Sequence, residues 1–245
     1  MLAQSLNLAC KLEIADEQFG SFREQLVMNS FKISSAVLVA CVAGGAFAQS
    51  QSFDSTSFAG NGAVRTSWLT AIGIAAPETT VDFEALALGN IHNVSGLMPN
   101  LVITSTNSVA NVTNSPSAMG GSNPIGTQAL AMAESANATF TFAAPVDYFG
   151  YYRMDVNSAS IIVTYTDSTQ ETFSASGTGS SGNTAQFWGV FRGTKPQISS
   201  VLINSGGGDN EHGMDNIEYG AAVPEPATML ALGLGAAAML RKRRK

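Results

Sequence analysis

The chain has 245 residues, with twelve Lys and Arg against eighteen Asp and Glu and a formal net charge of −6. Five of the twelve basic residues are the last five, and between Gln49 and Ala222 only Arg65, Arg153, Arg192 and Lys195 face thirteen acidic residues. So acidic a stretch repels nucleic acid and anionic lipid, and cysteines only at positions 10 and 41 exclude a disulfide framework, a thiolate zinc site and a cysteine nucleophile from everything that follows.

Residues 1–27 carry acidic groups and no apolar run, unlike an export leader, so translation is expected to begin at Met28. From there the chain reads MNSFKISSAVLVACVAGGAFAQS, with Lys32, an apolar core from Ile33 to Val42, and Ala46-Phe47-Ala48. Small residues at Ala46 and Ala48 suit a signal peptidase, so residues 28–48 are expected to be a signal peptide cut after Ala48. Leu38-Val39-Ala40-Cys41 also fits a lipobox, which would lipidate Cys41 and tether the protein. The short apolar run before Cys41 and the better-formed site behind it favour Ala48.

Residues 49–78 form an N-terminal segment of the mature protein, and residues 79–222 have the pattern of one β domain. Strands are predicted at Leu101–Thr104, Ala138–Phe142, Val146–Tyr152, Ser160–Thr166, Gln170–Phe173, Gln186–Phe191, Ile198–Asn204 and Met214–Tyr219. These segments alternate polar with apolar or are rich in β-branched and aromatic residues, and turn formers separate them. Ile161–Thr166, Asp167-Ser168 and Thr169–Phe173 spell a hairpin. One short helix is expected over Gly126–Ala136, at a sheet edge. Many short strands at regular spacing predict an all-β, antiparallel β-sandwich, most simply a jelly roll.

Val81-Asp82-Phe83-Glu84 near the start of this body and Gly213–Gly220 near its end resemble the opening and closing strands of extracellular jelly-roll domains, among them carbohydrate-binding modules and adhesion domains. The resemblance implies that first and last strands lie side by side and that calcium bridges their carboxylates. Asp82 and Glu84, two apart on a strand, would share a face, and Asp215 would join them in a hard oxygen shell. Solvated strand-end charges are the alternative. The Gly206–Gly213 loop offers glycines, acids and His212 for a second ion site or a sugar-binding edge, and a flexible connection explains it equally well. Tyr148, Phe149, Tyr151, Tyr152, Phe187 and Trp188 include rings that would stack on a pyranose if exposed, although alternation turns about half of them inward. His92 and His212 fall in polar loops with no partnered nucleophile or metal-spaced second histidine. Glu134, Asp147 and Glu171 are available as a glycosidase pair, without any motif to select them.

The chain closes with Val223-Pro224-Glu225-Pro226, fourteen uncharged residues from Ala227 to Leu240, and the basic block Arg241, Lys242, Arg243, Arg244, Lys245. As a helix the uncharged run would be about 21 Å long, short of the roughly 30 Å bilayer core unless its flanks extend it. This order, in residues 223–245, resembles the PEP-CTERM sorting tail of Gram-negative, exopolysaccharide-producing bacteria. The resemblance implies that exosortase reads Pro224, Glu225 and Pro226, that the apolar run is a short transmembrane helix holding the chain in the membrane, and that Arg241 to Lys245 stop its transfer. Together with a jelly-roll body that carries no enzyme motif, it gives the expectation of an exported surface or matrix protein, processed at its tail, non-catalytic and associated with exopolysaccharide or biofilm through its jelly-roll module. A secreted polysaccharide-active hydrolase is the alternative.

Overall fold

Ala159–Tyr165 is apolar at every second position, and the chain uses that alternation to turn Ala159, Ile161, Val163 and Tyr165 into a core while the residues between them stay half-exposed. The same alternation recurs in Leu101–Ser105, Ala110–Thr113 and the first half of Ala138–Val146. The computed structural model describes residues 50–222 except 120, 134–135, 157, 179–184, 194–195 and 206–210. The signal peptide with Ala46 and Ala48, the tail from Val223 to Lys245, Glu134 and the Gly206–Asn210 loop lie outside the described residues.

The strands, in chain order, are β1 (Gln51–Asp54), β2 (Thr79–Val81), β3 (Gly89–Asn90), β4 (Leu101–Ser105), β5 (Ala110–Thr113), β6 (Ala129–Ala133), β7 (Ala138–Val146), β8 (Tyr148–Met154), β9 (Ala159–Tyr165), β10 (Gln170–Ala175), β11 (Gln186–Phe191), β12 (Ile198–Ser205) and β13 (Glu211–Gly220). Among the described residues there is one α-helix, α1 (Asn61–Ile72), which follows β1. All the pairings are antiparallel. The first sheet has eight strands in the order β1-β11-β8-β13-β6-β5-β3, with β2 beside β13, and the second has five in the order β10-β9-β12-β7-β4. Each of the eight strands predicted from sequence is present, and the two sheets form the expected sandwich.

Three details follow from local sequence. The β9–β10 hairpin turns at Asp167-Ser168, where Ser168 takes a left-handed φ of 66° and the Asp167 carboxylate accepts from Thr169 N at 3.0 Å. The first and last strands of the expected domain do lie side by side, with Val81 opposite Ile217 and Thr79 opposite Tyr219. The helix expected over Gly126–Ala136 is instead β6. Leu130 and Met132 face the core between the sheets while Ala129 and Ala131 sit under an outer cover, so both faces are buried. A strand between β5 and β13 satisfies that backbone on both edges.

The sandwich interior holds the rings of Phe140, Phe142, Phe149, Tyr151, Trp188 and Tyr219 among aliphatic side chains from both sheets. Polar ties close its edge where β1 and β10 meet. The Asp54 carboxylate accepts from Ser176 N and Ser176 Oγ, both at 2.8 Å, and pairs with the fully buried Arg153 at 2.5 Å. At the other end of that edge Tyr165 bonds to Ser50 and donates to Glu171, and the Arg192 guanidinium lies 4.1 Å from the centre of the Tyr165 ring.

Candidate functional site

Strands β8 and β11 are buried on both faces because α1 lies over the outer side of the first sheet. The Asn61 side chain pins the helix there, donating to Ala185 O at 2.6 Å and accepting from Phe187 N at 2.8 Å. Trp68 meets Tyr148 edge-on at 5.4 Å and Phe187 at 5.2 Å, and its indole N–H donates to Val190 O. Gly150 and Gly189, opposite each other on β8 and β11, make this approach possible. A Cβ on either would come within 3.0 Å of the indole or of Phe187. Farther along the sheet a one-turn 3-10 helix, Pro116–Met119, drops Met119 onto Ala129, Ala131 and Met154 as a second cover.

Among the described residues the sheet has a gap in its outer layer between the two covers. A cavity of about 480 Å³ is lined by Phe58, Asn61, Pro124, Ile125, Tyr152 and Ala185 among others. Tyr152 is half-buried, its ring edge-on to Phe187 at 5.4 Å, and Phe58 is 51% exposed. Arg65 of α1 grips Glu218 of β13 in bidentate fashion, with Nε at 2.8 and 3.0 Å and Nη2 at 2.7 Å. Burial raises the Glu218 carboxyl above its ordinary value, against the pull of Arg65. Burial also raises the Tyr152 hydroxyl, with Arg65 opposing and Glu218 adding. Two rings of unequal exposure and apolar walls make a pocket suited to a small ring compound.

Asp215, fully buried, stands on β13 opposite Tyr152, where the register of β13 against β8 shifts and Asn216 takes a φ of 44°. Its carboxylate accepts from Asn216 N at 2.7 Å and from Ile125 N at 2.8 Å. Burial, then the charges of Glu84 and Asp82, push it up to about 8 in spite of those two bonds.

The other two residues expected to hold calcium are not on a strand. β2 ends at Val81, and Phe83 turns through a φ of 63° with its ring buried, so Asp82 and Glu84 lie in a turn. Asp82 accepts from Glu84 N at 3.2 Å. Glu84 accepts from Thr127 N at 2.7 Å, from Gln128 N at 3.1 Å and from the Thr127 hydroxyl, and these bonds hold its carboxyl below the usual range. Calcium takes six to eight oxygens converging on one point. Here the carboxylates turn toward amide donors, and among the described residues no three His, Cys, Asp or Glu side chains are placed to hold a metal ion. The donor set does not fit a calcium cage.

The remaining candidates are dispersed. Tyr148, Phe149, Tyr151, Phe187 and Trp188 are fully buried, and of the six rings singled out in the sequence only Tyr152 reaches the cavity. His212 is not in a loop: it lies on β13, fully buried, with no hydrogen-bond partner for either ring nitrogen among the described residues, and burial lowers it to about 4. His92 accepts from Ser105 N at 3.0 Å through Nδ1. Asp147 accepts from Ala222 N, and Glu171 pairs with Arg192 at 3.3 Å. Phe58, Asn61, Pro124 and Ile125 had no advance signal as a set, because they come from a helix start and a loop some sixty residues apart.

Among curated proteins none matches this chain. Among solved structures, a family 29 carbohydrate-binding module aligns over 59% of this chain and 96% of its own, at 9% identity and a TM-score of 0.34. The K2 cleaved adhesin domain of Lys-gingipain aligns over 58% and 96%, at 8% identity and 0.36. Tailspike protein 4 of bacteriophage CBA120 aligns over 57% of this chain and 21% of its own, at 19% identity and 0.33. Among the described residues no helix is long and apolar enough to cross a membrane. Residues 222–245 match the PEP-CTERM protein-sorting motif, so the chain carries the tail by which exosortase substrates are exported and sorted to the Gram-negative cell envelope.

Proposed function

We propose that this protein is a non-catalytic, saccharide-binding module that enters the export route through a signal peptide cut by signal peptidase after Ala48 and is sorted by its tail to the cell surface. The cavity over Tyr152 takes one sugar ring of an extracellular polysaccharide or biofilm matrix. The observation that carries this is the pairing of half-exposed Phe58 with Tyr152 across a cavity of about 480 Å³, roughly the scale of a small-ligand pocket. Aromatic faces stack on the apolar faces of pyranose rings, and a half-exposed phenylalanine beside a cavity loses little by doing so. Both carboxyl groups beneath the cavity, Asp215 and Glu218, are buried and hydrogen-bonded, which suits support of a site better than proton transfer in it. A glycan array run beside a reducing-sugar assay tests this. Binding that falls about tenfold or more in Phe58→Ala or Tyr152→Ala, without sugar release, is the expected result. Sugar release abolished by replacing one carboxylate would instead make the protein a hydrolase.

A further inference from the structure

One wall of the cavity is formed by Asn123, Pro124 and Ile125, the start of a stretch through Gln128 that belongs to neither sheet, and the backbone donors of that stretch converge on two carboxylates from separate parts of the chain. Ile125 N donates to Asp215 on β13, and Thr127 N, Gln128 N and the Thr127 hydroxyl donate to Glu84 in the turn after β2. Between the two holds is Gly126, with a φ of 100° and with Glu84 Oε1 only 2.3 Å from where its Cβ would be. Any side chain there would displace the carboxylate, so the segment Ile125-Gly126-Thr127 is shaped to it. Among the described residues the ion pairs of Arg65, Arg153 and Arg192 go to other acids, and the bonds to Glu84 and Asp215 come from backbone amides and the Thr127 hydroxyl.

We propose that Glu84 and Asp215 are positioning residues, a clamp that fixes the wall formed by Pro124 and Ile125 against Tyr152 and so sets the width of the cavity. That the width matters to a ligand rests on the saccharide-binding function proposed above; the clamp itself does not. A segment held by hydrogen bonds at two points, those to the Glu84 carboxylate being charge-assisted, moves as a unit, and losing either hold loosens Pro124 and Ile125 on the cavity side. Glutamine at position 84 keeps one carbonyl oxygen for the two amides, whereas alanine keeps none.

The test is ligand-free hydrogen–deuterium exchange on the full chain, with nitration of Tyr152 as a second readout. In Glu84→Ala the amides of residues 122–128 exchange about tenfold faster than in the parent, while β9 and α1 are unchanged. Nitration of Tyr152 rises by a similar factor, and Glu84→Gln restores most of both. Gly126→Ala, which leaves the acids in place, produces the same local loosening and serves if Glu84→Ala does not fold. Exchange that is unchanged, or that rises equally in every peptide, overturns the clamp. A blank glycan array alongside the expected exchange pattern sinks only the saccharide function.

Discussion

The indole of Trp68 occupies the space a side chain at Gly189 would need: a Cβ there would lie 2.9 Å from Trp68 Nε1. α1 is therefore seated on the sheet by a missing side chain as much as by its own ring. Gly189→Ala is expected to destabilise the fold by about 1–3 kcal/mol, as overpacking does, lowering the urea midpoint and shifting the Trp68 emission. Gly62 on α1 is the control, since a Cβ there meets nothing within 4 Å. Gly62→Ala should stabilise by about 0.4–1 kcal/mol through helix propensity.

Arg153 is fully buried, and among the described residues its Nε and Nη1 have no hydrogen-bond partner and its ion pair is with Asp54. Asp54→Ala should cost about 3–5 kcal/mol, the usual penalty for a stranded buried charge. Arg153→Met combined with Asp54→Ala should recover much of that loss. Double-mutant denaturation curves check both; equal losses in the single and double variants would count against the coupling.

His212 and Asp215 give the stability curve two opposite slopes. His212 is held neutral down to about 4, so as pH falls from about 6.5 the unfolded chain takes a proton that the folded chain refuses, and stability drops. The full loss is on the order of 3 kcal/mol. Asp215 is held protonated up to about 8, so as pH rises from about 4 the unfolded chain gives up a proton the folded chain keeps, and stability falls until about pH 8. His212→Phe should flatten the acid limb and Asp215→Asn the rise in instability toward pH 8. Thermal melts between pH 4 and 9 separate them.

Because Asp82, Glu84 and Asp215 turn toward amide donors, added calcium should leave the melting temperature within about 1 °C, and EDTA should lower it no further. A rise of several degrees, saturable in calcium, would restore the ion expected from sequence.

The second sheet and the centre of the first were legible in advance because alternation and β-branched runs report burial directly, as in Ile161–Tyr165 and Ile198–Asn204. The sorting tail was legible for another reason: its parts are contiguous. α1 was not, because its buried apolar residues are only Trp68, Leu69 and Ile72, set among Thr66, Ser67 and Thr70, whose hydroxyls fold back onto carbonyls four residues earlier. Asp82 and Glu84 were misplaced because Phe83 adopts a left-handed backbone that its side chain disfavours, and burial of the ring compensates for it. The cavity could not be foreseen at all, since tertiary contact alone joins Phe58 to Ile125.

β13 runs through the interior of the first sheet, with β8 along one edge and β6 then β2 along the other, and the sorting motif begins only two residues past its end. Those two residues are tied as well, Ala221 N to Glu78 and Ala222 N to Asp147. A pull along the axis of β13 would be perpendicular to its ladder bonds, loading them together instead of one by one. Tugged from that end, the molecule is built to resist as a plank resists being slid from a stack, and peeling has no free corner from which to begin.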